Sequence, residues 1–249
     1  MGLDHPYARC YRPNLQDIGR YNLYMHDSRY VEHPGQVLKG VEILYKDLET
    51  LFDYIEPADK NEACFSFRTY ELLLRCCTEV EANLKAIMKA NICSVEHYNM
   101  GVYWKINITH HLSSYKIHIP NWWGDNGIRT PFGAWDLTMN ASRTIPWYDA
   151  YNTVKHNRID GFAEANLKCV IDAFCGLLII LAAQFYDEDF VAKNIEGGYG
   201  YSVISDGLSS TIGAPFRIEF PNDWSDDECY SFNWDDIKAE PEPYHKLTY

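Results

Sequence analysis

The chain has 249 residues, 47% of them apolar and 23% charged, which excludes a disordered tail protein, a collagen-like fibre and a disulfide-stapled miniprotein. It carries 22 Lys and Arg against 35 Asp and Glu, a formal charge of −13, which argues against a protein that coats a polyanion along its whole length. The charge is uneven: residues 187–249 hold 14 acidic and 4 basic side chains, leaving 21 against 18 in the first 186 residues.

Residues 1–35 are polar and aromatic, with Pro6, Pro13 and Pro34, and read as an irregular lead-in. The first residues show neither the basic nor the apolar stretch of a signal peptide. Eight cysteines without any C-x-x-C spacing give no zinc knuckle or thioredoxin-type motif. The longest uninterrupted apolar run, residues 173–183, is shorter than a bilayer-spanning helix requires. A reducing, cytoplasmic setting with no membrane partner is therefore expected.

From residue 36 to 186 the pattern is that of a helical bundle. Val37, Val41, Leu44, Leu48, Leu51, Phe52 and Ile55 recur at three- and four-residue steps, predicting a first amphipathic helix over 36–55. Tyr70, Leu73, Leu74, Cys77, Val80, Leu84, Ile87 and Met88 predict a second over about 65–92. Between about 100 and 142 the periodicity changes. Residues 102–109 and 115–119 alternate as strands do, and residues 122–127 read as a turn, so a β-hairpin insertion rich in Trp is expected. Pro146 suits the first turn of a helix ending near His156, and residues 162–186 form the most apolar stretch, suited to the middle of a bundle or a dimer interface. In the acidic extension, 187–249, residues 216–220 and 229–234 are strand-like.

The densest polar cluster is Trp147-Tyr-Asp-Ala-Tyr-Asn-Thr-Val-Lys-His-Asn-Arg158. Helical spacing puts Asn152 and His156 one turn apart on one face, flanked by Lys155 and Arg158. On the second helix, Glu71, Arg75 and Glu79 form a self-paired face. Glu81 lies four residues after Cys77 and three before Leu84, at the core boundary, where a carboxylate needs a partner. Lys155, His156 or Arg158 is the expected one. The plain alternative is a buried polar knot, with the His156 ring satisfied by Glu81 or a carbonyl.

This helical pair, followed by Tyr-Asn-x-x-Lys-His-x-Arg and an apolar helix, resembles the HEPN superfamily over about residues 64–92 and 146–186. The resemblance implies a small helical bundle, commonly dimeric, of the kind found in bacterial conflict and antiphage systems. Many such proteins are metal-independent ribonucleases with an Arg and, four to six residues on, a His. Here His156 matches the histidine and Asn152 the intervening polar residue, while Tyr151 stands where the family has arginine. Cleavage of RNA through its own 2′-hydroxyl needs a group that moves a proton and a cation beside the phosphate. Imidazole suits the first task. On this reading His156, Asn152, Lys155 and Arg158 form the catalytic set, Tyr151, Arg75 and Trp147 contact substrate, and Glu81 is a structural partner. No cofactor is implied.

The fold expected is mainly α: a HEPN-like bundle with a small β-containing insertion and an irregular C-terminal α/β extension. Its partners would be a second copy of the chain, RNA, or a protein docking on the aromatic insertion or the acidic tail. The tail could also cover the basic cluster as a built-in competitor. The alternative function is a non-catalytic dimerisation or docking module with a decayed active site, which Tyr151 favours. His110, His111 and His118, read as strand residues without carboxylates at ligand spacing, give no metal site. Trp104, Trp122, Trp123 and Trp135 form either a base-stacking set or the private core of the insertion.

Overall fold

A computed structural model describes residues 2–16, 21–135, 144–188, 209–210 and 216–249, and the statements below concern these residues. The helices are α1 (Pro34–Phe52), α2 (Phe67–Ala90), α3 (Met100–Tyr103), α4 (Lys105–His110), α5 (Pro146–His156), α6 (Arg158–Gly161), α7 (Leu167–Phe185) and α8 (Trp234–Ile237). The strands are β1 (Lys116–His118), β2 (Ile128–Arg129), β3 (Ser209–Ser210) and β4 (Arg217–Glu219), joined antiparallel in the order β2-β1-β4-β3. The chain is thus mainly α-helical with a small antiparallel sheet.

The long helices form because their ends as well as their faces are specified. Ser66 caps α2: its side chain accepts from Thr69 N, and the Thr69 hydroxyl accepts from Ser66 N. This reciprocal pair satisfies two donors that the first turn leaves open. Asn166 accepts from Cys169 N at the start of α7, and Pro146 occupies the first turn of α5. The central packing is α2 against α7, with α5 against both and α1 against α2. By length and composition α7 is apolar enough to cross a membrane, but 89% of its most hydropathic window is buried inside this fold. Fully buried residues such as Leu177, Ile180 and Leu181 would each cost about 2–5 kcal/mol on truncation to Ala.

Two sequence expectations are overturned. Residues 102–109 are helical, in α3 and α4, rather than a strand. Residues 229–234 make only isolated bridges, from Tyr230 to Leu3 and to Asn14, and then enter α8. The hairpin of the insertion is β1 with β2, and β1's other neighbour, β4, comes from the C-terminal extension, with Ile117 opposite Ile218. Among the described residues before α1 the one helical element is a short 3-10 helix, Tyr21–His26, yet Cys10, Tyr11, Tyr24, Met25 and Tyr30 are core residues. They pack with the C-terminal segment, where Leu3 N donates to Cys229 O and Leu15 N to Tyr230 O. All eight cysteines are free.

Candidate functional site

Helix α5 is amphipathic in a way that dictates the site. Trp147, Tyr148, Ala150, Tyr151 and Val154 are buried, the three- and four-residue spacing of a face laid against α2 and α7. The polar residues are left at its exposed C-terminal end. Lys155, His156 and Arg158 are all exposed and Asn152 is half-buried. The chain leaves the helix at Asn157 (φ −138°, ψ 69°), so Arg158 opens the next short helix, α6. The buried-knot alternative therefore does not describe His156, whose ring faces solvent.

Two aromatic residues tie this end to the bundle. The Tyr151 hydroxyl accepts from Lys155 Nζ at 3.0 Å, and the ammonium lies 4.9 Å from the same ring's centroid. That hydrogen bond, with the nearby Glu81 charge, raises the Lys155 pKa and fixes where the ammonium sits. Glu81 does reach α5, but through Tyr148, whose hydroxyl donates to it; it makes no direct hydrogen bond to Lys155, His156 or Arg158. Burial first, then Glu81, push the Tyr148 pKa up, so the phenol stays a neutral donor. Tyr151 is thus a buried residue that fixes a neighbouring cation.

The other expected substrate contacts lie elsewhere. Trp147 is buried, with its indole N–H donated to Pro131 O at 2.9 Å, and its ring serves the core. Arg75 pairs with Asp47 of α1 rather than with α5. In the insertion, Trp122 and Trp135 are buried and Trp104 is half-buried; only Trp123 of the four is exposed, so they make no stacking platform. His110 and His111 end α4 rather than lying on a strand. His110 is buried between Arg9 O and the Thr109 hydroxyl. His111, in the left-handed region (φ 51°), meets Asp223 at 2.9 Å and Glu228 at 3.2 Å. His118 and Lys116 both reach Glu219. Carboxylates therefore face His111 and His118 after all, supplied from about a hundred residues away, while His110 meets none.

Two features lay outside the sequence reading. The first is a charged network at the insertion: Arg129 donates to Glu62 at 2.7 Å and Asp172 at 3.4 Å, and Lys168 donates to Asp172 at 2.6 Å. It borders a cavity of about 370 Å³ lined also by Thr130, Pro131 and Trp147. Its charges balance internally and it clamps β2 onto α7. The second is a cluster of exposed apolar side chains beside the α5 end. Phe65, Phe67 and Ile159 are exposed, and Phe162 packs against Phe67 at 4.9 Å and Phe65 at 5.8 Å. The Phe65-x-Phe67 spacing around the Ser66 cap was its only sequence signal. Compared with known proteins, the chain matches no family model, no curated protein and no solved structure.

Proposed function

We propose that the chain is a HEPN-like RNA-binding and metal-independent RNA-cleaving module whose centre is the C-terminal end of α5. One observation carries this reading: Lys155, His156 and Arg158 lie exposed around one helix end with Asn152 a turn before His156, and of these four only Lys155 has a side-chain partner among the described residues, the Tyr151 hydroxyl. An unpaired imidazole beside two cations is the minimal equipment for moving the 2′-hydroxyl proton while the phosphate is held. His156 is the acid–base group. Lys155, positioned by Tyr151, supplies the charge that the family takes from arginine, and Arg158 adds a second phosphate contact.

The test is incubation of the full chain with structured RNA in EDTA. Cleavage should fall by at least a hundredfold in His156→Ala, about the worth of a general acid–base group, with the far-ultraviolet circular dichroism unchanged. Cleavage that persists in His156→Ala, or an absence of both binding and cleavage, overturns the assignment.

The exposed Phe65, Phe67 and Ile159 favour a second reading, the docking or dimerisation module, because exposed aromatics beside a polar rim are what a protein interface buries. A chain that is dimeric in solution, becomes monomeric in Phe67→Glu and never cleaves RNA would establish that reading in place of the first.

A further inference from the structure

The two ends of the described chain meet in a small parallel pairing. His245 N donates to Pro6 O at 2.9 Å and Ala8 N donates to His245 O at 3.0 Å, so the backbone holds His5 and His245 as neighbours across the join. Their rings stack at 4.6 Å between centroids. The ligand atoms of Asp4, His5 and His245 lie within 4.8 Å of one another. The His5 ring is already oriented. Its Nε2 lies 3.0 Å from a Glu240 carboxylate oxygen, while Nδ1 is shielded from solvent, has no aligned hydrogen-bond partner and sits 3.1 Å from Asp4 Oδ1.

We propose that Asp4, His5 and His245 bind a borderline divalent transition metal such as Zn²⁺ or Co²⁺, with Glu240 as the outer carboxylate that sets the His5 tautomer. A carboxylate on the far nitrogen of a ligating histidine is the usual support of such sites, because it fixes the ring and makes the coordinating nitrogen more basic. Bonds of about 2.0–2.2 Å at a tetrahedral angle place two donor atoms roughly 3.3 Å apart, close to the Asp4–His5 separation. Two imidazoles and one carboxylate suit zinc or cobalt better than calcium or magnesium, which take oxygen ligands. The third ligand must close by up to roughly 1.5 Å, because stacked rings cannot both aim at one ion. His245 is exposed, so a rotamer change makes that movement. The ion would staple residues 4–5 to residue 245, far from the α5 end in sequence, and takes no part in RNA chemistry.

The experiment is titration of the untagged full chain with Co²⁺, followed by calorimetry and visible absorption, with Zn²⁺ competing. One equivalent should bind, with ligand-field bands and no thiolate charge transfer. It should also raise the melting temperature, and affinity should fall at least tenfold in His245→Ala and in Asp4→Asn. Both variants alter exposed side chains and keep the native circular dichroism. Absence of saturable binding, unchanged affinity in His245→Ala, or thiolate bands reporting capture by one of the eight cysteines each overturns the site.

Discussion

Arg129→Met tests how the insertion is held on the bundle. The Arg129 side chain is 5% exposed, and its partners Glu62 and Asp172 are 18% and 12% exposed. The guanidinium also lies 4.3 Å from the Trp122 ring. Met matches the volume and removes the charge, so the cost is that of leaving carboxylates without their cation, about 3–5 kcal/mol for a buried pair. Asp172 keeps Lys168 at 2.6 Å, and Glu62 keeps only Asn126 at 3.3 Å, which places the loss near the lower limit, about 3 kcal/mol. For a chain of this length that is a fall of roughly 6–12 °C in melting temperature. Urea denaturation followed by circular dichroism gives the difference directly. Adding Glu62→Gln to Arg129→Met removes the stranded charge and should restore about 1–2 kcal/mol. Arg129→Lys should not rescue, because an ammonium cannot span both carboxylates as the planar fork does. A loss below about 1 kcal/mol, or no recovery in the double variant, would refute the view that this network is buried and matched.

RNA binding, if centred on the α5 end, should weaken with salt, and Lys155→Gln with Arg158→Gln should reduce the logarithmic salt slope by about 1.4, the release expected from two single-strand phosphates; an unchanged slope places the RNA elsewhere. Native-state alkylation mapped by mass spectrometry should modify the half-buried Cys64 and Cys93 first. Burial pushes Cys76 up to about 12 and Cys169 up to about 11. Cys10 should stay protected although His110 and Arg12 outweigh burial and bring its thiol down to about 7, since its side chain is wholly enclosed; labelling of Cys10 as fast as Cys64 would contradict that enclosure. Acid should loosen the C-terminal segment at Trp224, which stacks on His111 at 3.9 Å. Burial raises Asp223 and Glu228, but His111 with Ser114, and Ser225 with His111, outweigh it and leave both carboxyls depressed. Depressed carboxyls stabilise the fold above their unfolded pKa, and that stabilisation is lost as pH falls through the folded value. The emission change assigned by difference against Trp224→Phe should therefore appear below about pH 4, and a transition centred near neutrality would count against the clamp.

The parts of this fold that were legible are those whose periodicity is apolar. Helices α1, α2, α5 and α7 announce themselves because nearly every inward position is aliphatic or aromatic. The helical stretch α3–α4 did not, and the reason is visible in its buried face: Tyr103, Ile106, Asn107 and His110. That is a sound helical stripe with two polar members. Asn107 is buried because its side chain donates to Trp135 O and accepts from Ser113 N, both at 2.7 Å; His110 is buried against Arg9 O. These partners come from other elements, so nothing local marks either position as interior, and the exposed remainder mimics a strand's alternation. The site shows the same division. The one-turn spacing of Asn152 and His156 follows from helix geometry alone, whereas Glu81's choice of Tyr148 depends on the register of α2 against α5, which no single segment encodes.

The acidic extension is where net charge misleads most. A segment of net charge −10 beside a basic cluster suggests a detachable competitor, yet several of its described carboxylates are engaged elsewhere. Glu219 binds Lys116 and His118, Asp223 and Glu228 bind His111, and Glu240 binds His5. Among the described residues none reaches Lys155, His156 or Arg158. The backbone reinforces this arrangement: β4 pairs with β1, Ile92 N donates to Leu247 O, and Tyr249 N donates to Ile92 O. The aromatic side chains Tyr230, Phe232 and Trp234 pack on Tyr24 from the N-terminal segment. Cutting the extension away would therefore remove part of the sheet and uncover core aromatics, so truncation would report on folding rather than on inhibition. Substitutions at the α5 end avoid that difficulty. Lys155, His156 and Arg158 are exposed, so substituting them tests this end without disturbing the extension's packing.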